Sequence, residues 1–542
     1  MDNVTSCGGV PHQAAAKTPA RSFRQSLYAM LGLSSVVMMV AIDQTVVGTA
    51  LPTIVAELKG FHLYAWVATA YLLASVITVP IFGRLGDWFG RKPLIVIAIV
   101  VFTGASTLCG AAGSMQALVL FRALQGIGGG MLVGTCFASI PDLFPDPVVR
   151  LRWQVLFSSA FGLANAVGPS LGGFLSEHYG WRSAFLVNIP VGVASLYLTA
   201  MHLPDIRHEK RGKLTPDWRG ALLIGLGLGS LQLLVESLAH ETVSVTTLGF
   251  GVVTLCAGVW LAREELRAAD PILPPALLRE RAIIALLVLS MLMGMAMFAL
   301  LFYVPLLLQG GMGLSADRAG VMITPLVVCI TVGTIANTRV VTRLRKPNVL
   351  LYGGFALLGV ACAGIVAGGT SGGHWFTVAL LAGGVGIGLV MPNLTVFAQQ
   401  VAGKRQLGIA TAMIQSARMV GGMLGTAIVG TVVHVLYRQH VTDALMAHGV
   451  RANAAWATSA VSSPQLLLNS SEAAHFVAQA NQAGLAGDVL IAAARVALVQ
   501  AVDHALLMVA GAMVIACVAV AWVPVIRVEP LRVGGQRACV GE

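Results

Sequence analysis

The chain has 542 residues, 57% of them hydrophobic and only 11% charged, with a mean hydropathy of +0.82. Soluble domains carry about 25% charged residues, so this composition excludes a water-soluble globular enzyme and indicates a polytopic membrane protein. The net charge of +11 is spread through short loops, which makes it a topology signal rather than a nucleic-acid surface.

Residues 1–25 are polar and alanine-rich and read as a cytoplasmic N-terminal tail. Apolar runs of about 20 residues follow, each long enough to cross a hydrocarbon core of roughly 30 Å as a helix. A β-barrel would show alternating segments of about 10 residues instead. The first six runs are Ala29–Leu51, Tyr64–Phe82, Pro93–Cys109, Ala117–Phe137, Val155–Leu175 and Phe185–Ala200. They make an expected N-terminal six-helix bundle over 26–203. Two more, Ala221–Leu238 and Thr247–Leu261, fall in a linker section over 204–282. The last six are Ile283–Leu308, Ala319–Ile335, Val349–Ala367, Trp375–Phe397, Ile409–Val433 and Ala505–Val525. They give a C-terminal six-helix bundle over 283–526, interrupted by one long outer loop at 437–487 and followed by a cytoplasmic tail at 527–542. The expected fold is therefore all-α with 14 spans.

With the N-terminus inside, lysines and arginines favour the inner loops by about four to one, which puts both ends in the cytoplasm. Pro52 and Pro305 end the first and ninth runs, and Arg91-Lys92-Pro93 and Arg345-Lys346-Pro347 open the third and eleventh. Val167-Gly168-Pro169-Ser170-Leu171-Gly172 is similar to Val420-Gly421-Gly422-Met423-Leu424-Gly425. All three pairs share an offset of about 253 residues, which argues for two halves related as a parallel repeat.

The stretch from Gly83 to Lys92 separates the second and third runs. Its glycines, Gly83, Gly86 and Gly90, permit a tight turn with positive φ. Asp87 with Arg84, Arg91 and Lys92 places opposite charges at two helix ends, an arrangement suited to a gate. A turn this short makes the flanking helices antiparallel neighbours.

Asp43 lies inside the first run and Arg122 inside the fourth. A charge in the bilayer interior costs several kcal/mol unless it faces a cavity or a partner, so each marks a candidate site. Counting residues from the ends of their helices at 1.5 Å per residue puts the two at similar depth. A buried carboxyl that meets an arginine is a candidate to take up and release a proton. Arg418 is a second arginine within a run, nearer the cytoplasmic end. Glu236, toward the outer end of the seventh run, is a further candidate carboxylate, read first as an interfacial residue. In the fifth run Gly168, Pro169, Gly172 and Gly173 combine a kink with small residues that let neighbours approach, as a sliding surface needs.

Gly212-Lys213 and Gly403-Lys404 are not followed by Ser or Thr, so no phosphate-binding loop supplies ATP drive. The eight cysteines are scattered and show no metal-ligand spacing. No catalytic constellation is present.

These residues together resemble the major facilitator superfamily, and within it the 14-span drug:proton antiporters. Gly83 to Lys92 is similar to the signature G-x-L-a-D-r-x-G-r-k. Arg122, Gln125, Gly126 and Gly128 fit the fourth-span signature, and Gly168, Pro169, Gly172 and Gly173 the fifth-span antiporter signature. Asp43, Thr45, Ala50, Leu51 and Pro52 fit the first-span signature. Trp88, Gly48 and Ala164 depart from the pattern. Gly48 stands where an asparagine is usual, which leaves Asp43 without an expected hydrogen-bond partner.

The resemblance implies proton-driven export of lipophilic, often cationic compounds across the cytoplasmic membrane, with Asp43 and Arg122 in coupling and the Gly83 loop in gating. It implies no cofactor beyond the coupling proton, and no enzyme activity. The expected partners are a small lipophilic substrate and membrane lipid, with a periplasmic adaptor protein added in a two-membrane bacterium, and no nucleic acid. The alternatives are export of a single endogenous metabolite, an uptake symporter, or, from another class, a non-transporting sensor or a membrane-embedded enzyme, the last disfavoured by the lack of a catalytic constellation.

Overall fold

A computed structural model describes residues 23–144, 147–205, 218–237, 244–267, 275–341, 343–368, 373–402, 407–447, 455–483 and 485–525. Within them the chain is helical throughout. The first group comprises α1 (Phe23–Leu58), α2 (Tyr64–Phe89), α3 (Arg91–Gly110), α4 (Met115–Leu143), α5 (Pro147–His178), the short α6 (Arg182–Leu186) and α7 (Asn188–His202). Next come α8 (Trp218–Ser237), α9 (Val245–Arg267) and the single turn α10 (Pro275–Leu278). The last long helices are α11 (Arg281–Leu306), α12 (Ala316–Val340), α13 (Val349–Gly368), α14 (His374–Ala402) and α15 (Leu407–Ala447). The chain closes with α16 (Ala455–Val461), α17 (Gln465–Leu468), α18 (Ser470–Gln482) and α19 (Gly487–Val520).

Among the described residues, twelve helices are long and apolar enough to cross a membrane. The expected fifth and seventh spans are helices too, α5 and α8, but stand outside that set. The apolar part of α8, Arg219–Val235, is shorter than the usual 20 residues. The first half of α5 carries Arg150, Arg152, Ser158 and Ser159.

Packing follows the repeat. In the first group α1 lies on α5 and α7, and α4 lies between α2 and α3. In the second, α11 lies on α15, α14 between α12 and α13, and α19 against α13 and α15. The groups meet where α5 runs along α12 and α2 along α15, while α8 and α9 pair with each other and α8 reaches α2 and α15. The shared glycine motif explains one equivalence. A side chain at Gly168 or Gly172 would run into Thr45, Val46 and Thr49 of α1. One at Gly421 or Gly425 would run into Met291 and Met295 of α11. The absent side chains let the fifth and first helices of each group touch backbone to backbone.

Several boundaries differ from the sequence expectation. Pro52 and Pro305 lie inside α1 and α11 rather than ending them. A proline removes one intrahelical bond, but α1 continues to Leu58 because Leu51, Ile54 and Val55 are fully buried and Gln309 donates to the Thr49 carbonyl at 2.9 Å. The segment from Gly83 to Phe89 is not a loop. It is the last part of α2, and only Gly90, with φ 88°, makes the turn. Gly86 serves space instead, since a side chain there would collide with the Arg91 guanidinium, and Arg91 donates to the Gly83 carbonyl at 2.9 Å. Nor are α2 and α3 packing neighbours over their length, because α4 fills the space between them. The long loop at 437–487 is largely helical. α15 continues to Ala447 and α19 begins at Gly487, because Tyr437, Val441, Leu445, Leu490 and Ala494 remain buried.

Two faces of the bundle are thereby defined. The cap face carries the α1–α2 turn and α16–α18, and the opposite face carries the start of α1 and the end of α19. Several hydrogen bonds join the two groups toward the cap face. Thr53 donates to Gln309 at 3.3 Å, Tyr64 to the Phe302 carbonyl at 2.7 Å, and Thr69 meets Thr426 at 3.2 Å. Ser170 meets Thr324 at 2.5 Å. The cap helices add three ties to the α1–α2 turn: Lys59 to Glu472 at 3.0 Å, Gly60 N–H to Gln465 at 3.0 Å, and Asn469 to the Ala56 carbonyl at 3.5 Å.

Candidate functional site

Asp43 and Arg122, singled out separately in the sequence, form one ion pair. Arg122 Nη1 donates to Asp43 Oδ2 at 2.7 Å and to Gln125 Oε1 at 2.8 Å. Its Nε donates to the Val67 carbonyl of α2 at 3.1 Å, and its guanidinium lies 4.5 Å from the centre of the Tyr71 ring. The other carboxylate oxygen, Oδ1, accepts from Gln125 Nε2 at 2.7 Å and from Asn188 Nδ2 at 3.0 Å. Asn188 also donates to Ser106 Oγ at 3.0 Å, and Ser106 donates to the Phe185 carbonyl at 2.9 Å. Asp43, Gln125, Asn188 and Ser106 have no accessible surface, and Arg122 has 1%.

Local sequence explains why these side chains converge. Arg122 and Gln125 are three apart on α4 and so share a face. The glycines beyond them let α4 approach its neighbours, since side chains at Gly126 and Gly128 would enter the backbones of Tyr71 on α2 and Phe102 on α3. Asn188 opens α7, where an apolar segment meets Ser106 of α3 and Asp43 of α1. The amide supplies the donor that Gly48 does not. Gly48 instead allows contact with α11, because a side chain there would press on the Leu301 carbonyl at 3.0 Å.

A carboxylate with three donors and a fully enclosed guanidinium is stable only while paired, because either charge alone in such surroundings is strongly destabilising. Neutralising Asp43 would leave Arg122 without its counter-ion. Two residues on from Asp43, Thr45 presses on Gly168 of α5. On the far side of α5, Gly173 meets Ala316 and Asp317 of α12, and Gly320 meets the Pro169 carbonyl. A continuous stack thus runs from the ion pair through α1 and α5 to the junction of the two groups.

The remaining sequence candidates are placed as follows. Arg91 is buried beneath the end of α2, and Lys92 is partly exposed beside it. Asp87 sits on the last turn of α2, and its side chain lies outside the described residues, as does that of Glu236 on α8. Sequence reasoning missed Asn188, Ser106 and Tyr71. Asn188 carried the clearest signal, being a lone amide in the apolar stretch Phe185–Ala200.

The profile of the Major Facilitator Superfamily matches residues 33–426. The chain is 33% identical over 417 residues to the multidrug transporter protein MdtP of Bacillus subtilis, covering 75% of each sequence. It is 31% identical over 422 residues to the tetracenomycin C resistance and export protein of Streptomyces glaucescens, covering 77% of each. Its fold superposes on an inward-facing, occupied bacterial homolog of the human lysosomal transporter Spinster with TM-score 0.62 and 14% identity, over 93% of this chain and 97% of that one. A membrane bundle of apolar helices, a buried ion pair at the centre of its first group, and relatives named for drug export make the chain a transporter and not an enzyme: it belongs to the major facilitator superfamily.

Proposed function

We propose that the chain is a 14-span, proton-coupled antiporter that exports lipophilic compounds from the cytoplasm by alternating access. In this reading residues 26–203 and 283–526 form two six-helix halves, α8 and α9 lie between them, and both chain ends face the cytoplasm. The cap face is then the outer face. The hydrogen bonds that tie the halves together toward the cap correspond to a state closed to the outside, which in this reading opens to the inside.

The observation that carries the reading is the enclosed Asp43–Arg122 pair at one end of the stack that reaches the junction of the halves. In the closed-cap state the Asp43–Arg122 pair is formed and cargo enters from the cytoplasm. Motion of α5 along α12 then separates the cap contacts and releases the cargo outside. A proton entering through the open cap neutralises Asp43 and releases Arg122. The cap closes on the protonated protein, and the proton leaves to the cytoplasm as the pair re-forms, so proton and cargo move in opposite directions. A proton crossing 100 mV supplies about 2.3 kcal/mol, enough for several-fold to tens-fold accumulation at one proton per cycle. Gly90 and Arg91, with Asp87, form the opposite gate at the turn between α2 and α3. No cofactor takes part.

The test is transport in proteoliposomes with an imposed pH gradient and a panel of lipophilic compounds. Movement of at least one compound against the proton flux supports antiport. Movement only in the direction of the protons assigns a symporter, and movement that ignores the gradient removes proton coupling.

A further inference from the structure

Arg418 is the second arginine within the membrane-spanning helices that the sequence singled out, and the Asp43 network does not use it. It lies on α15, on the face that also carries Gln415, Gly422, Gly425 and Thr426. That face packs against α11 and α2. The Arg418 carbonyl is close enough to Gly294 of α11 that a side chain there would overlap it. Thr426, eight residues further along α15, bonds Thr69 near the level of Val67, where Arg122 is anchored. Arg418 is therefore about 12 Å from the ion pair toward the face opposite the cap, at 1.5 Å per residue.

Arg122 and Arg418 contrast sharply. Arg122 has a carboxylate, an amide, a carbonyl and an aromatic face. Among the described residues Arg418 has none of these: no hydrogen-bond acceptor, no carboxylate and no ring. It is set deep in the bundle yet keeps part of its surface open. Gln415, one turn earlier, likewise has no partner among the described residues. Met291 and Met295 of α11, flexible apolar side chains suited to varied shapes, lie along the same packing face and are only partly covered. A guanidinium with five donors and no acceptor is costly in such a place unless an anion fills it. Among the described residues no carboxylate pairs with Arg418, and Asp43 is enclosed with its oxygens occupied.

We propose that Arg418, with Gln415, binds the acidic group of a lipophilic anion, a carboxylate or an acidic phenol on an apolar body that rests against Met291 and Met295. The inference rests on the reading of the chain as an exporter of lipophilic compounds and replaces the cationic cargo of the family resemblance with an acidic one. An anionic lipid headgroup offers the same chemistry, and the experiment separates the two.

The test uses the purified full chain in detergent and two fluorescent probes of one shape, 1-pyrenebutyrate and its methyl ester, with binding read by anisotropy. The acid should bind about tenfold or more tightly than the ester, the value of a charge-assisted hydrogen bond. Arg418→Gln should remove that preference and leave ester binding unchanged, while Arg418→Lys should retain part of it. Removing an unpaired, partly buried charge should also raise the thermal unfolding temperature of Arg418→Met above that of the parent. Equal binding of acid and ester, no saturable binding of the acid, or equal loss of both probes in Arg418→Gln overturns the proposal. So does tighter binding of tetraphenylphosphonium than of the acid. Displacement of the acid by phosphatidylglycerol, with no movement of the acid in proteoliposomes, assigns the site to a resident lipid and overturns the cargo reading. Acid binding through Arg418 together with pH-independent transport leaves this site standing and refutes proton coupling instead.

Discussion

Asp43 has three donors drawn from two helices, and their loss has a definite cost. Asn188→Leu deletes one bond to Asp43 and leaves Ser106 Oγ without its donor, so it should destabilise the protein by about 1–3 kcal/mol. Thermal unfolding of the purified variant measures this, and an unchanged midpoint would show that the amide is not part of the network. Arg122→Leu should be worse, about 3–5 kcal/mol, because it leaves a buried carboxylate alone. Asp43 and Arg122 were legible in the sequence because a charge within an apolar run is conspicuous. Their pairing was legible from depth. Asn188 and Ser106 were not, because an amide or hydroxyl inside a span has many ways to be satisfied, and only the packing of α7 on α3 chooses this one. Gly48 shows the same limit from the other side: its substitution looked like a missing donor, but in the fold it is a contact with α11.

At the scale of helices, α5 is held between α1 and α12 by residues that have no side chain. Gly168→Val would place a β-carbon against Thr45 Oγ1, where there is no room for one. It should cost about 1–3 kcal/mol through overpacking and lower transport further than that stability loss explains, since the same surface must slide. Transport per folded molecule is the quantity to compare, and wild-type turnover in Gly168→Val would remove α5 from the moving path. The cap gives a second expectation. Glu472→Ala combined with Gln465→Ala cuts two of the three ties to the α1–α2 turn. The variant should favour the outward-open state and raise the rate at which a cysteine at Thr53 is labelled from the cap face. The helices α16–α18 were not legible, because short amphipathic turns carry little periodic signal. The Gly83–Lys92 stretch was misread for a different reason: three glycines suggest a loop, but Gly83 and Gly86 lie within a helix that continues, and Gly86 makes room there for Arg91.

For the whole molecule, the parallel repeat was visible as a common offset of about 253 residues and reappears as matched contacts of α5 on α1 and α15 on α11. That agreement arises because the motif residues are interfacial glycines, whose identity the packing dictates. The direction of the bundle in the membrane rests on the lysine and arginine asymmetry. With native cysteines replaced, Ser459→Cys on α16 should react with an impermeant reagent added to intact cells, and Arg345→Cys should react only after the cells are opened. The reverse pattern would invert the assignment of the faces.

The central claim is that Asp43 carries the exchanged proton. Asp43→Asn keeps the shape of the side chain and some of its hydrogen bonds but cannot titrate. The decisive measurement is proton release from detergent-solubilised protein when a compound that the wild type transports is added. The wild type should release protons and Asp43→Asn should not, while the variant remains folded and loses pH-gradient-driven efflux. Undiminished proton release and transport from Asp43→Asn would contradict the account and place the coupling carboxylate elsewhere, with Glu236 the first to examine.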